Sequence, residues 1–153
     1  SDKTGTLTKT YGILKFSAGG VSYGKSNPKP QNYALGVTNV NFEDPKFDEH
    51  YNDENHPTSL NKEFIECLGI CHTVISDDKE TKGQKFKVYN ASSPDELALV
   101  NGMRHFGFAF TERDIDDNIV VELLRENKIV KYKLLHVIEF NSDRKRMSVI
   151  VRT

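Results

Sequence analysis

Hydrophobic residues recur in two different rhythms along this chain. Over residues 59–77, Phe64, Ile65, Leu68, Cys71, Val74 and Ile75 return at steps of three and four. That spacing predicts an amphipathic helix ending near Asp77-Asp78. A second helix is predicted to open at Ser93-Pro94-Asp95-Glu96. Ser93 can cap it while Glu96 reaches back, a capping box. Pro94 falls at the first helical position, where its missing N–H costs nothing. Asp95 and Glu96 suit the positive end of the helix dipole. Leu97, Val100 and then Met103 or Arg104 continue the face, and Gly107 ends it.

The other rhythm is that of strands. Residues 108–111, 118–124, 129–140 and 147–152 read as strands, with turns at Glu126-Asn127-Lys128 and between Asn141 and Arg146. Near the start, Ile13, Phe16, Val21 and Tyr23 around Gly19-Gly20 predict a short hairpin over 13–24. Residues 78–85 are polar and loop-like, and Phe86, Val88 and Tyr89 suggest a short strand after them. Residues 25–58 break both rhythms. They hold four of the five prolines and the acidic cluster Glu43, Asp44, Asp48, Glu49, Asp53 and Glu54. They read as a largely irregular surface insertion that Phe42, Phe47 and Tyr51 could pin to the body. The fold class expected is α+β, an antiparallel sheet with two packed helices.

Composition narrows the function. At 153 residues the chain suggests one domain. A chain of that size buries roughly two-thirds of its surface. The formal net charge is −1, with no block of basic residues. Nucleic acid is therefore not the expected partner, because phosphate contacts need clustered Lys and Arg. No apolar run approaches a membrane span, and no signal peptide is legible. Cys67, Cys71 and His72 are too few for a metal site, and the two thiols read as neighbours on one helical face in a reducing compartment. Asn90-Ala91-Ser92 fits the glycosylation sequon, which carries no meaning in a cytosolic domain. The acidic cluster lacks the ligand spacing of a calcium loop and reads as a solvated face.

Candidate chemistry begins at Ser1-Asp2-Lys3-Thr4-Gly5-Thr6-Leu7-Thr8. A carboxylate can attack a γ-phosphate and form an aspartyl-phosphate. The adjacent Lys offers a point charge to phosphate oxygens, and Gly among small hydroxyl residues lets backbone approach a charged group. This run resembles the phosphorylation motif of P-type ATPases. Three distant segments resemble the same family: Cys71-His72-Thr73-Val74, Ser93-Pro94-Asp95-Glu96-Leu97-Ala98-Leu99-Val100, and the stretch from Phe140 through Asn141-Ser142-Asp143-Arg144-Lys145-Arg146 to Met147-Ser148-Val149. The Pro-Asp-Glu and Arg-Lys-Arg-Met forms are similar to those of phospholipid flippases, the type IV P-type ATPases. The resemblance spans residues 2–149, with 25–58 the main exception.

The resemblance implies Asp2 as the phosphorylated nucleophile and a nucleotide site that includes Asp2, Lys3, Thr4, Glu96, Phe140, Ser142 and Lys145. An adenine has apolar faces, so Phe140 suits stacking, and its amine wants a partner such as Glu96. Ser142 can donate a hydrogen bond, and Lys145 can reach the triphosphate. Taken singly, Glu96 could be only a helix cap, Phe140 only core and Lys145 only a solvated turn residue. The implied cofactors are ATP and Mg²⁺, with Asp2 and Thr4 as Mg²⁺ ligands in an intact parent. The missing strand before Asp2 and further acidic Mg²⁺-binding segments would belong to that larger protein. The division expected is a phosphorylation-domain remnant and linker over 1–12 and a partial nucleotide-binding domain over 13–153. The family's Lys-Gly-Ala segment has no match before Thr153, so the nucleotide-binding domain reads as truncated at its C-terminal side. The implied setting is a cytosolic domain of an integral membrane protein. A phospholipid and an accessory subunit would be partners only through absent membrane helices. The fragment itself is expected to be monomeric, to bind nucleotide weakly and not to turn over. The alternatives are the nucleotide-binding domain of a cation pump, a haloacid dehalogenase-type phosphatase, and a non-catalytic interaction module. The phosphatase is disfavoured because Thr4 stands where such enzymes usually carry a second Asp.

Overall fold

Two glycines make the first turn. Gly19 and Gly20 have φ of 59° and 78°, in the left-handed region that costs glycine little. They join β1 (Phe16–Ala18) to β2 (Val21–Tyr23) in the expected antiparallel hairpin. The structure, a computed structural model, describes residues 12–26, 28, 36–53 and 60–153. Phe16 stacks on Phe42 and Phe64 at 5.5 and 5.0 Å and meets Phe47 and Phe106 edge-on. The hairpin is thus nailed to the body by aromatic contacts, each a modest gain beyond area burial.

Part of the supposed irregular stretch is helical. Helix α1 (Pro45–Asn52) follows Asp44, whose carboxylate accepts from the Lys46 N–H at 3.0 Å and the Gly24 N–H at 2.9 Å. An Asp cap followed by Pro is a sound start signal. It was masked because the helix is short and buries one residue, Phe47, so no apolar period shows. Phe42 and Phe47 are buried and Tyr51 packs against the core, so the three aromatics do pin this stretch. Arg125 fastens α1 from the other side, donating to Asp48 at 2.7 Å and lying over the Tyr51 ring.

Helix α2 (Leu60–Ile70) stops well short of the expected end near Asp77. Ile75–Thr81 is instead a strand, β3, paired in register with β4 (Gln84–Asn90) around a turn at Lys82 and Gly83. The three-and-four spacing of Val74 and Ile75 was a coincidence of composition. Ile75 is 65% exposed, so no apolar face continues through it. The polar run 78–85 is likewise strand and turn rather than loop; it pairs along its backbone, which the side-chain pattern does not report.

Helix α3 (Pro94–His105) forms as expected, with the Ser93 hydroxyl accepting from the Glu96 N–H at 3.4 Å. Four antiparallel strands follow: β5 (Phe108–Arg113), β6 (Asn118–Leu123), β7 (Lys128–Asn141) and β8 (Arg146–Arg152), in spatial order β5-β6-β7-β8. Both helices lie on this sheet. A Cβ at Gly69 would stand 2.2 Å from the Phe108 ring, so only glycine lets α2 approach β5 this closely. The core comprises Ile65, Ile70, Val74, Val100, Met103 and Phe106 against Phe108, Phe110, Ile119, Val121 and Tyr132. The described architecture is α+β as expected, with three helices rather than two and two small hairpins beside the main sheet.

Candidate nucleotide site

Glu96 sits in the first turn of α3, but it does not reach back to close a capping box. Its two carboxylate oxygens accept from Thr73, one from the backbone N–H at 3.2 Å and the other from the hydroxyl at 2.9 Å. Thr73 lies in the segment that leaves α2. That segment is shaped by His72, which is 1% exposed. The His72 Nε2–H donates to the Gly69 carbonyl at 3.0 Å, and Nδ1 accepts from the Val74 N–H at 3.1 Å. With Nδ1 accepting, the ring is neutral. Burial, with the Arg113 cation nearby, pulls the His72 pKa down to about 4. Arg113, at the end of β5, donates to the His72 carbonyl and also interacts electrostatically with Glu96.

The other candidate residues among those described lie on the β7–β8 hairpin. Phe140 is 64% exposed. A phenylalanine held in water at a strand end is not part of the core. The turn beyond it is well ordered by local bonds. The Asn141 side chain accepts from the Asp143 and Arg144 N–H groups at 3.0 and 2.8 Å, and its carbonyl accepts from the Lys145 N–H at 2.8 Å. This holds Ser142 and Lys145 exposed beside Phe140, with Lys145 at φ 53°.

Residues 71–73 touch both α3 and β8. Cys71 Sγ lies 3.7 Å from the Met147 carbonyl on β8, and two residues on, Thr73 holds Glu96. The segment that holds Glu96 thus also touches β8. Alongside runs a groove of about 350 Å³ between α2 and β8, lined by Ile70, Cys71, Met147 and Val149 among others. Burial pushes the Cys71 thiol up from its ordinary pKa, with neighbouring Cys67 adding to the effect. Asp2, Lys3 and Thr4 lie outside the described residues. Among the described residues no group of three or more His, Cys, Asp or Glu could hold a metal ion. Three residues of the site, His72, Thr73 and Arg113, had not been assigned a role from the sequence. The Cys-His-Thr-Val match marked the first two without saying what they do.

A family model for the P-type ATPase cytoplasmic domain N matches residues 54–153. The chain belongs to that family. Its whole length is also 40% identical to mouse "Phospholipid-transporting ATPase FetA" and 41% identical to human "Phospholipid-transporting ATPase IC". Human "Phospholipid-transporting ATPase ID" is 38% identical over 99% of the chain. The chain spans only 12–13% of the length of these relatives. The domain N match covers Glu96, the 71–73 segment and the β7–β8 hairpin together. No helix among the described residues of this domain is long and apolar enough to cross a membrane.

Proposed function

We propose that this domain recognises ATP for a phospholipid-transporting P-type ATPase. The carrying observation is the 71–73 segment, which links Glu96 on α3 to β8 next to the hairpin that presents Phe140, Ser142 and Lys145. An adenine stacks on the exposed Phe140 ring, and its exocyclic amine donates to the Glu96 carboxylate. Ser142 adds a hydrogen bond. Lys145 takes the triphosphate as a point charge. Within the whole protein, the Asp2 carboxylate attacks the γ-phosphorus, the bond to the β-phosphate oxygen breaks, and ADP departs to leave an aspartyl-phosphate, with the adjacent Lys3 and Thr4 available to the phosphate oxygens. Asp2 and Thr4 are the residues that would help hold Mg²⁺ in the whole protein, where the ion would supply positive charge to the phosphoryl oxygens. Hydrolysis of that acyl phosphate then powers lipid movement across a bilayer. The named relatives are phospholipid-transporting ATPases, which favours this over a cation pump.

Titration of the 153-residue chain with ATP, followed by amide chemical shifts, tests the reading. Weak saturable binding is expected, with shifts clustered at residues 71–73, 94–97 and 140–146. Base stacking on an aromatic is worth about 1–3 kcal/mol by alanine substitution. Phe140→Ala should therefore weaken binding by about tenfold, and Glu96→Ala should weaken it too. Unchanged titrations in both variants would overturn the assignment.

A further inference from the structure

A carboxylate reads a base only if it is aimed, and a free Glu side chain on a helix's first turn has several staggered rotamers to choose from. For Glu96 one of these is selected by Thr73, whose N–H and hydroxyl each engage a different oxygen, at 3.2 and 2.9 Å. A carboxylate oxygen has two lone pairs, so each keeps one for another donor. Thr73 is exposed, but its neighbours on both sides are buried and tied. The next residue, Val74, is fully buried and bonded to the His72 ring at 3.1 Å. The preceding His72 is bonded to the end of α2, and its carbonyl accepts from Arg113 on β5. Thr73 therefore cannot follow a wandering carboxylate, and the carboxylate is held to Thr73.

We infer that Thr73 is a positioning residue for base selection, fixing Glu96 so that it favours a purine bearing a 6-amino group over one bearing a 6-oxo group. This rests on the role given to Glu96 above. The chemistry follows from donor and acceptor identity. Adenine presents an N–H to the fixed carboxylate. Hypoxanthine presents a carbonyl oxygen at the same place, and two acceptors face each other with no proton between them. A site built around a hydrogen bond discriminates strongly against a partner that cannot make it. Without the hydroxyl, the carboxylate keeps only the backbone N–H of Thr73 and can pivot away from the oxo group, so discrimination falls.

Dissociation constants for ATP and ITP, measured by amide shifts on the 153-residue chain, give the test. Thr73→Val removes the hydroxyl at nearly constant shape on an exposed site, and Thr73→Ser keeps it. Wild type should prefer ATP by about tenfold. In Thr73→Val, ATP binding should weaken about fivefold while ITP changes by less than about twofold. Thr73→Ser should keep the wild-type preference, which a purely structural role for the β-branched side chain would not restore. Should Thr73→Val fold poorly, Thr73→Ala against Thr73→Ser makes the same comparison. An unchanged ATP-to-ITP ratio in the hydroxyl-free variants, or an equal loss for both nucleotides, overturns the inference. Absence of any preference in wild type, or its survival in Glu96→Ala, removes instead the role of Glu96 on which it depends.

Discussion

Glu96 and Phe140 are assigned to the same ligand, yet they sit in opposite surroundings. Glu96 stands on a scaffold whose parts are buried and hydrogen-bonded: His72 and Val74 at 1% and 0% exposure, and the core of α2, α3 and β5 beneath. Phe140 stands at the end of a long hairpin with much of its ring in water, and Ile129, Leu135 and Ile150 on the same two strands are also exposed. The difference separates two demands on a binding site. A polar group that selects must be aimed, which takes fixed neighbours. An apolar platform needs mainly to be exposed, since stacking engages the π-face of a base without donor–acceptor matching. In the proposed site, the side near the core would supply direction and the hairpin contact.

That contrast can be broken most directly by truncating aromatic rings on its two sides. Phe110 is 1% exposed, packs edge-on to His72 at 4.6 Å and supports the segment that carries Thr73. Phe110→Ala should lower stability by about 3–5 kcal/mol in urea unfolding. A small cost there would mean that the scaffold beneath Glu96 is not rigid.

The next effect is in pH. Burial, with the Arg113 cation nearby, holds the His72 pKa in the folded chain at about 4, against its ordinary value of 6.5. The unfolded chain therefore binds more protons between those values, and stability rises with pH across that window. The contribution is fully present above pH 6.5, falls as the pH is lowered and is lost near pH 4. The shift corresponds to about 3 kcal/mol at most. His105, also lowered by burial, acts in the same direction. His72→Gln should flatten the slope between pH 6.5 and 5 in unfolding midpoints. An unchanged slope would show that His72 is not the buried neutral pin described above.

The smallest effect sharpens the comparison. Phe140→Ala should change stability by less than about 0.5 kcal/mol, because an exposed ring loses little on truncation. The same variant is expected to lose nucleotide affinity. A loss of stability comparable to that of Phe110→Ala would return Phe140 to the core and remove it from the site.

Much of this was legible in residue order. The strand rhythm from Phe108 onward and the Ser93-Pro94 start of α3 are local signals, and both elements formed as read. The short hairpin followed from Gly19-Gly20 in the same way. Each difference from the expectation has its own physical cause. Helix α2 was read too long because spacing alone cannot register a side chain that folds back to close a helix end, as His72 does on Gly69 and Val74. The β3–β4 hairpin was read partly as loop because backbone pairing of a polar, exposed ribbon leaves no apolar alternation. Helix α1 is too short, with only Phe47 buried, to show an apolar period, although Asp44-Pro45 is a usable start signal.

The sequence by itself determined the family, the α+β class and which residue types are available for phosphate and purine chemistry, because motifs and element starts are encoded within a few consecutive residues. Only the tertiary structure decided where Glu96 points. A capping box and a bond to Thr73 satisfy the same carboxylate, and local sequence favours the first. The choice of the second comes from residues far apart in the chain, with Arg113 of β5 and the buried His72 holding Thr73 where the first turn of α3 arrives.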